Sequence, residues 1–151
     1  MKENICKMPV GMQFSVINRS FRRQMEILLA EHGITGPQIG VLGRLSYLER
    51  QGVEVNQRDV EKAAHMSHAA VTDILKRLET KDFIRVTPST LDKRSKCLHT
   101  TQKAKALYES LDTLDKQVFD SLCQGMDARE REALTSAMGI MLKNATATKG
   151  S

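Results

Sequence analysis

Apolar residues at Phe14, Ile17, Phe21, Met25 and Leu28 recur at intervals of three and four, with polar and charged residues filling most of the gaps. That spacing predicts a helix from about Met12 to His32 with one buried stripe, ended by Gly33. Thr35-Gly36-Pro37 marks a turn with proline at a helix start, and Ile39, Leu42, Leu45 and Leu48 carry a second helix up to Gln51-Gly52. Asn56 is a suitable N-cap for a short helix with Val60, Ala63 and Ala64 inward, broken around His65-Met66. Ser67 caps the next helix, whose inner stripe is Val71, Ile74, Leu75 and Leu78. His68, Ala69, Thr72, Asp73, Lys76 and Arg77 are left on its outer face. Two helices joined by so tight a break predict a helix-turn-helix.

The period then changes. Phe83 to Thr87 is β-branched and apolar enough for a strand, Lys96 to Thr101 offers its partner, and Pro88 to Arg94 between them reads as an exposed basic hairpin tip. Helical spacing returns with Leu107, Leu111, Leu114, Val118 and Leu122, a long apolar seam interrupted at Gly125-Met126. Asp127 and Glu130 make a capping-box start for a last helix bearing Leu134, Met138 and Met141, and the stretch from Asn144 to Ser151 is expected to be a disordered tail. The expected fold class is mainly α with a small two- or three-stranded β wing. A winged helix-turn-helix at 35–101 lies between an N-terminal helical segment at 1–34 and C-terminal helices at 102–143.

Composition agrees with helix: of 151 residues only 4% are aromatic, and there is no Trp. Charge adds a location. From Asn56 to Lys105 eleven Lys and Arg face six acids, so this third of the chain carries the whole net charge of +5 and the remainder balances. A basic excess confined to a helix pair and a hairpin is expected where that region alone meets a polyanion. Cys6, Cys97 and Cys123 form no Cys-x-x-Cys pair, which excludes a disulfide framework or zinc ribbon and fits a reducing cytoplasm. No apolar run approaches the roughly 20 residues of a membrane span, and the N-terminus lacks a signal-peptide core.

In a helix-turn-helix the second helix lies in the major groove. Ser67, His68, Ala69, Thr72 and Asp73 are short or polar groups suited to close approach, and Lys76 and Arg77 reach phosphates. Lys93, Arg94 and Lys96 at the hairpin can place a cation in the minor groove. Val55 to Val60, Ser67 to Thr72, Leu78 to Ile84 and Asp92-Lys93-Arg94 before Thr101 together resemble the MarR family of regulators, over about Gln38 to Leu107. The resemblance implies that Asp92 orients Arg94 toward the minor groove. It also implies that the outer chain segments are dimerisation helices, so that a homodimer presents two reading heads to a palindromic double-stranded operator. Asp82 stands where the family usually has Gly, and Ala104 replaces another glycine of the family.

The same resemblance implies a repressor released by a small, often aromatic, effector in a crevice lined by some of Phe14, Ile17, Phe21, Leu42 and Leu45. Apart from the resemblance, these five are first of all core positions. The apolar seam and the N-terminal stripe exceed what a reading head of some fifty residues covers, which also favours a partner subunit. His65-x-x-His68, Cys97-x-His99 and Cys6 raise a metal- or redox-responsive regulator as an alternative, and a nonspecific architectural DNA binder is another. No carboxylate cluster accompanies the histidines, so neither metal nor cofactor is expected. The chain has no Ser-His-Asp order, phosphate-cradling glycine loop or His-Glu-x-x-His motif, and an enzyme is not expected.

Overall fold

The computed structural model describes residues 7–147. Cys6 and the last four residues lie outside them. Six helices and one hairpin follow in the order α1 (Val10–Glu31), α2 (Gly36–Glu49), α3 (Gln57–Ala64), α4 (His68–Thr80), β1 (Ile84–Pro88), β2 (Lys96–Thr100), α5 (Gln102–Leu122) and α6 (Ala128–Ala147). The last helix continues through Ala147, past the Asn144 at which the sequence predicts a tail.

Local chemistry accounts for the boundaries. Thr35 and Gln38 form a reciprocal capping box at the start of α2, and Asn56 and Asp59 form another at α3. The Ser67 hydroxyl accepts from Ala70 N–H at the start of α4. His65 closes α3 in the left-handed conformation at φ 52°, which gives the sharp break between α3 and α4. Asp82 adopts φ 61° after α4 and fills the conformational role for which glycine is the ordinary choice.

Most of the core surrounds α2. Val41, Leu42 and Leu45 are buried there among Val60, Val71, Leu78, Phe83, Ile84 and Leu98, so the helix pair and the hairpin share one apolar centre. The strands pair antiparallel with Ile84 opposite Thr100 and Pro88 opposite Lys96. The sheet has two strands, and Leu98 N–H donates to Val55 C=O in the segment before α3 at 2.8 Å. Thr101 joins hairpin to α5, because its hydroxyl both donates to Asp82 C=O at 2.7 Å and accepts from Ala104 N–H.

The seam of α5 is largely covered by its own chain. Leu107, Leu114 and Val118 are buried, and α5 packs along α1. Apolar surface is exposed elsewhere, at Val10, Met12, Phe14, Val16 and Ile17 of α1 and at Met138, Ile140, Met141 and Leu142 of α6. No residue of α6 is buried. An Arg131–Asp120 ion pair at 2.7 Å holds its first turns to α5.

Candidate nucleic-acid interface

α4 buries Val71, Ile74, Leu75 and Leu78 against the core and turns Ser67, His68, Ala69, Asp73, Lys76 and Arg77 outward, with Thr72 half-buried. The amphipathic period alone produces this division. Across an open groove of about 500 Å³ stands the hairpin, so that Thr72 and Lys76 face Lys93, Arg94 and Lys96 over a floor that includes Leu75, Val86 and Leu98. Of the residues singled out, Thr72 and Lys76 on the helix and Lys93, Arg94 and Lys96 on the hairpin border one concavity, whereas Ser67, His68, Ala69, Asp73, Arg77 and Asp92 do not line it. Among the described residues, the charged ends of Lys76, Lys93, Arg94 and Lys96 have no ion-pair partner. Arg77 does have one: its Nε donates to Asp73 Oδ2 at 3.0 Å, one helical turn away.

Asp92 organises the tip through backbone. Its Oδ1 accepts from Arg94 N–H at 3.0 Å and its Oδ2 from the Ser95 hydroxyl at 3.3 Å, while Ser95 N–H donates to Asp92 C=O. The carboxylate thus shapes the turn that carries Arg94 and leaves the guanidinium unpaired. Two further carboxylates, without a distinctive sequence signal, hold the hairpin from behind. Glu54 accepts from the hydroxyls of Ser89 and Thr90 and from Thr90 N–H at 2.9 Å. Glu49, at the end of α2, accepts from Thr100 N–H at 3.0 Å and from its hydroxyl. The Ser89 hydroxyl foremost, then the Thr90 hydroxyl and amide, pull the Glu54 carboxyl down to about 2.

A polar cluster joins the two helices of the pair. Gln57 Nε2 donates to Thr72 Oγ1 at 2.7 Å and to Glu61 Oε1 at 2.9 Å; Glu61 Oε1 also lies 2.6 Å from His68 Nδ1. The Thr72 hydroxyl donates in turn to His68 C=O at 2.8 Å. The Gln57 amide, followed by the His68 ring, keeps the Glu61 carboxyl below the usual range against the opposing effect of desolvation. Gln57 and Glu61 belong to this interface although the outward pattern of α4 does not reveal them. Their i, i+4 spacing on a short capped helix is the available signal.

The five positions considered for an effector crevice differ in burial. Leu42 and Leu45 have no exposed surface, Phe21 is half-buried, and Phe14 and Ile17 are about half exposed, at 51% and 54%. Cys97 and Cys123 are buried free thiols. Among the described residues no three His, Cys, Asp or Glu side chains gather as a metal site, and no helix is long and apolar enough to cross a membrane.

Residues 32–95 match the model of the MarR family. The HTH-type transcriptional regulator TtmR of Methylorubrum extorquens is 30% identical over 132 residues, which are 87% of this chain; the chain spans 65% of that relative's length. MepR, a transcription regulator of the Staphylococcus aureus multidrug efflux pump MepA, superposes with a TM-score of 0.74 at 22% identity over 91% of this chain and 99% of its own. MarR of E. coli in its apo form superposes at 0.69 with 24% identity over 89% and 97%. A MepR variant of similar fit, TM-score 0.71 at 22% identity over 91% and 99%, was solved bound to an oligodeoxyribonucleotide. The match of the reading head and the winged-helix fold agree: residues 32–95 belong to a winged helix-turn-helix of the MarR family.

Proposed function

We propose that this protein is a homodimeric, sequence-specific regulator of transcription that binds palindromic double-stranded DNA. The observation that carries the reading is the groove between α4 and the hairpin, where an exposed polar helix face stands opposite cations with no partner of their own. Ser67, His68, Ala69, Thr72, Asp73, Lys76 and Arg77 enter the major groove, and Lys93, Arg94 and Lys96 track the adjacent minor groove and phosphates. Unpaired cations favour this, because a phosphate meets them without first breaking an intramolecular ion pair.

Dimerisation covers the apolar faces of α1 and α6 that the single chain leaves open, and sets two reading heads roughly 34 Å apart. The protein acts in the cytoplasm as a repressor, occupying a promoter against polymerase and releasing it when a small aromatic molecule binds. Because Leu42 and Leu45 have no exposed surface in the single chain, such a molecule reaches them only if the packing around α2 opens. Catalysis forms no part of this reading.

Selection of bound sequences from random duplex DNA tests the proposal. A palindrome with half-sites one helical turn apart is the expected product, preferred over random duplex by about a thousandfold or more at physiological salt. Uniform binding to all duplexes would instead identify an architectural protein.

A further inference from the structure

Resting on the DNA-binding reading, we propose that Glu61 and Gln57 fix the tautomer of His68 so that its Nε2 offers DNA a hydrogen-bond acceptor, which selects a base carrying an exocyclic amine in the major groove. Adenine N6 and cytosine N4 are the two such groups.

The proton positions follow from the contacts. Glu61 Oε1 lies 2.6 Å from His68 Nδ1, and a carboxylate oxygen that close to a ring lone pair would be repelled, so Nδ1 carries a hydrogen and donates it. Gln57 Nε2 is also 3.1 Å from Nδ1, but it has only two hydrogens, and nearer acceptors stand at Thr72 Oγ1, 2.7 Å, and Glu61 Oε1, 2.9 Å. Thr72 is free to accept because its own hydrogen goes to His68 C=O at 2.8 Å. Turning the Gln57 amide over would set its oxygen against the Glu61 carboxylate, which excludes that orientation. The hydrogens of Gln57 and Thr72 are thereby placed, and Nδ1 is a donor.

A neutral imidazole protonated on Nδ1 has its lone pair on Nε2. His68 is the first residue of α4, its side chain is 76% exposed, and Nε2 has no partner in the described structure. Residues at the start of a recognition helix are those nearest base edges. A lone pair there is attracted by an amine hydrogen and repelled by guanine O6 and N7, thymine O4 and phosphate oxygens. Gln57 and Glu61 are thus positioning residues, and His68 is the residue that reads.

Nitrogen-detected NMR of the full-length protein, above the pH at which the ring is seen to titrate, reads the tautomer without DNA. His68 Nε2 should resonate as an unprotonated nitrogen. Glu61→Ala should move the proton to Nε2, the form free histidine prefers, whereas Glu61→Gln, whose amide oxygen still accepts, should keep it on Nδ1. Sequence selection should then find adenine or cytosine at one position of each half-site, with a preference of about threefold to tenfold, as expected of one neutral hydrogen bond. That preference should vanish in His68→Ala, change in Glu61→Ala and persist in Glu61→Gln. A protonated Nε2 in the wild type overturns the proposal, as does a His68→Ala variant that loses affinity equally for every sequence, which marks a phosphate contact. If the wild-type protein selects no sequence, the sequence-specific reading fails, and the base-reading role of His68 with it, while the NMR result still judges the tautomer.

Discussion

Glu54, in the loop before α3, grips Thr90 at the tip of the hairpin through both its backbone N–H and its hydroxyl. The contact joins positions 36 apart in sequence and sets the hairpin's angle to the helix pair from the side away from the groove.

Because the Glu54 carboxyl is held at about 2 instead of 4.5, its contribution to hairpin order has a definite pH window. A lowered folded-state pKa means the contribution to stability is fully present above about pH 4.5 and is lost as pH falls toward 2. The Thr90 amide resonance of the folded protein should instead follow the Glu54 carboxyl itself, constant from neutral pH down through 4.5 and shifting with a midpoint at about 2. Glu54→Ala should abolish that titration and weaken duplex binding without altering base preference, as measured by fluorescence anisotropy.

Arg94 and Asp73 should respond differently to removal. Arg94→Ala should lower affinity for all sequences and reduce the slope of log affinity against log salt by about one, since one phosphate-proximal cation is lost. Asp73→Ala removes a negative charge and frees Arg77, its partner at 3.0 Å. It should raise nonspecific affinity while blunting the preference among sequences. Intact affinity in Arg94→Ala would remove the hairpin from the interface.

The proposed dimer rests on exposed apolar residues, so charge introduced there should separate the subunits and leave the fold standing. Ile140 and Leu142 of α6 are 62% and 63% exposed. Ile140→Glu with Leu142→Glu should give a monomer by solution scattering with unchanged helical circular dichroism. A wild-type protein that is already a monodisperse monomer at micromolar concentration would end the dimer proposal.

Tyr108 on α5 has a buried hydroxyl with no hydrogen-bond partner among the described residues, and desolvation raises its pKa to about 12. An unpaired buried hydroxyl is costly, so Tyr108→Phe should be neutral or stabilise the protein by up to about 1 kcal/mol in urea unfolding. Phe83→Ala, at a side chain 1% exposed beneath the hairpin, should destabilise by about 3–5 kcal/mol. A marked loss of stability in Tyr108→Phe would mean that the hydroxyl has a partner in the assembled protein.

The helix starts were legible in the sequence because capping is a matter of three residues. Thr35 with Gln38, Asn56 with Asp59 and Ser67 with Ala70 each satisfy N–H groups within one turn. The inner stripe of α4 was legible from its period. The α5 seam was legible as an apolar face, but what covers it was not, since spacing marks a face without naming its partner. The structure assigns Leu107, Leu114 and Val118 to the chain's own core and leaves α6 uncovered instead.

What the chain order by itself determined, then, is a capped helix pair followed by a basic hairpin, because periodicity, breakers and local charge act over a few residues. The tertiary structure decided how these parts are aimed. Glu49 at Thr100, Glu54 at Thr90 and Gln57 at Thr72 join positions 51, 36 and 15 apart, and no local pattern encodes such pairs. They form only where packing around α2 brings the helix pair and hairpin together, which is why residues that look like ordinary surface polar groups fix the geometry of the groove.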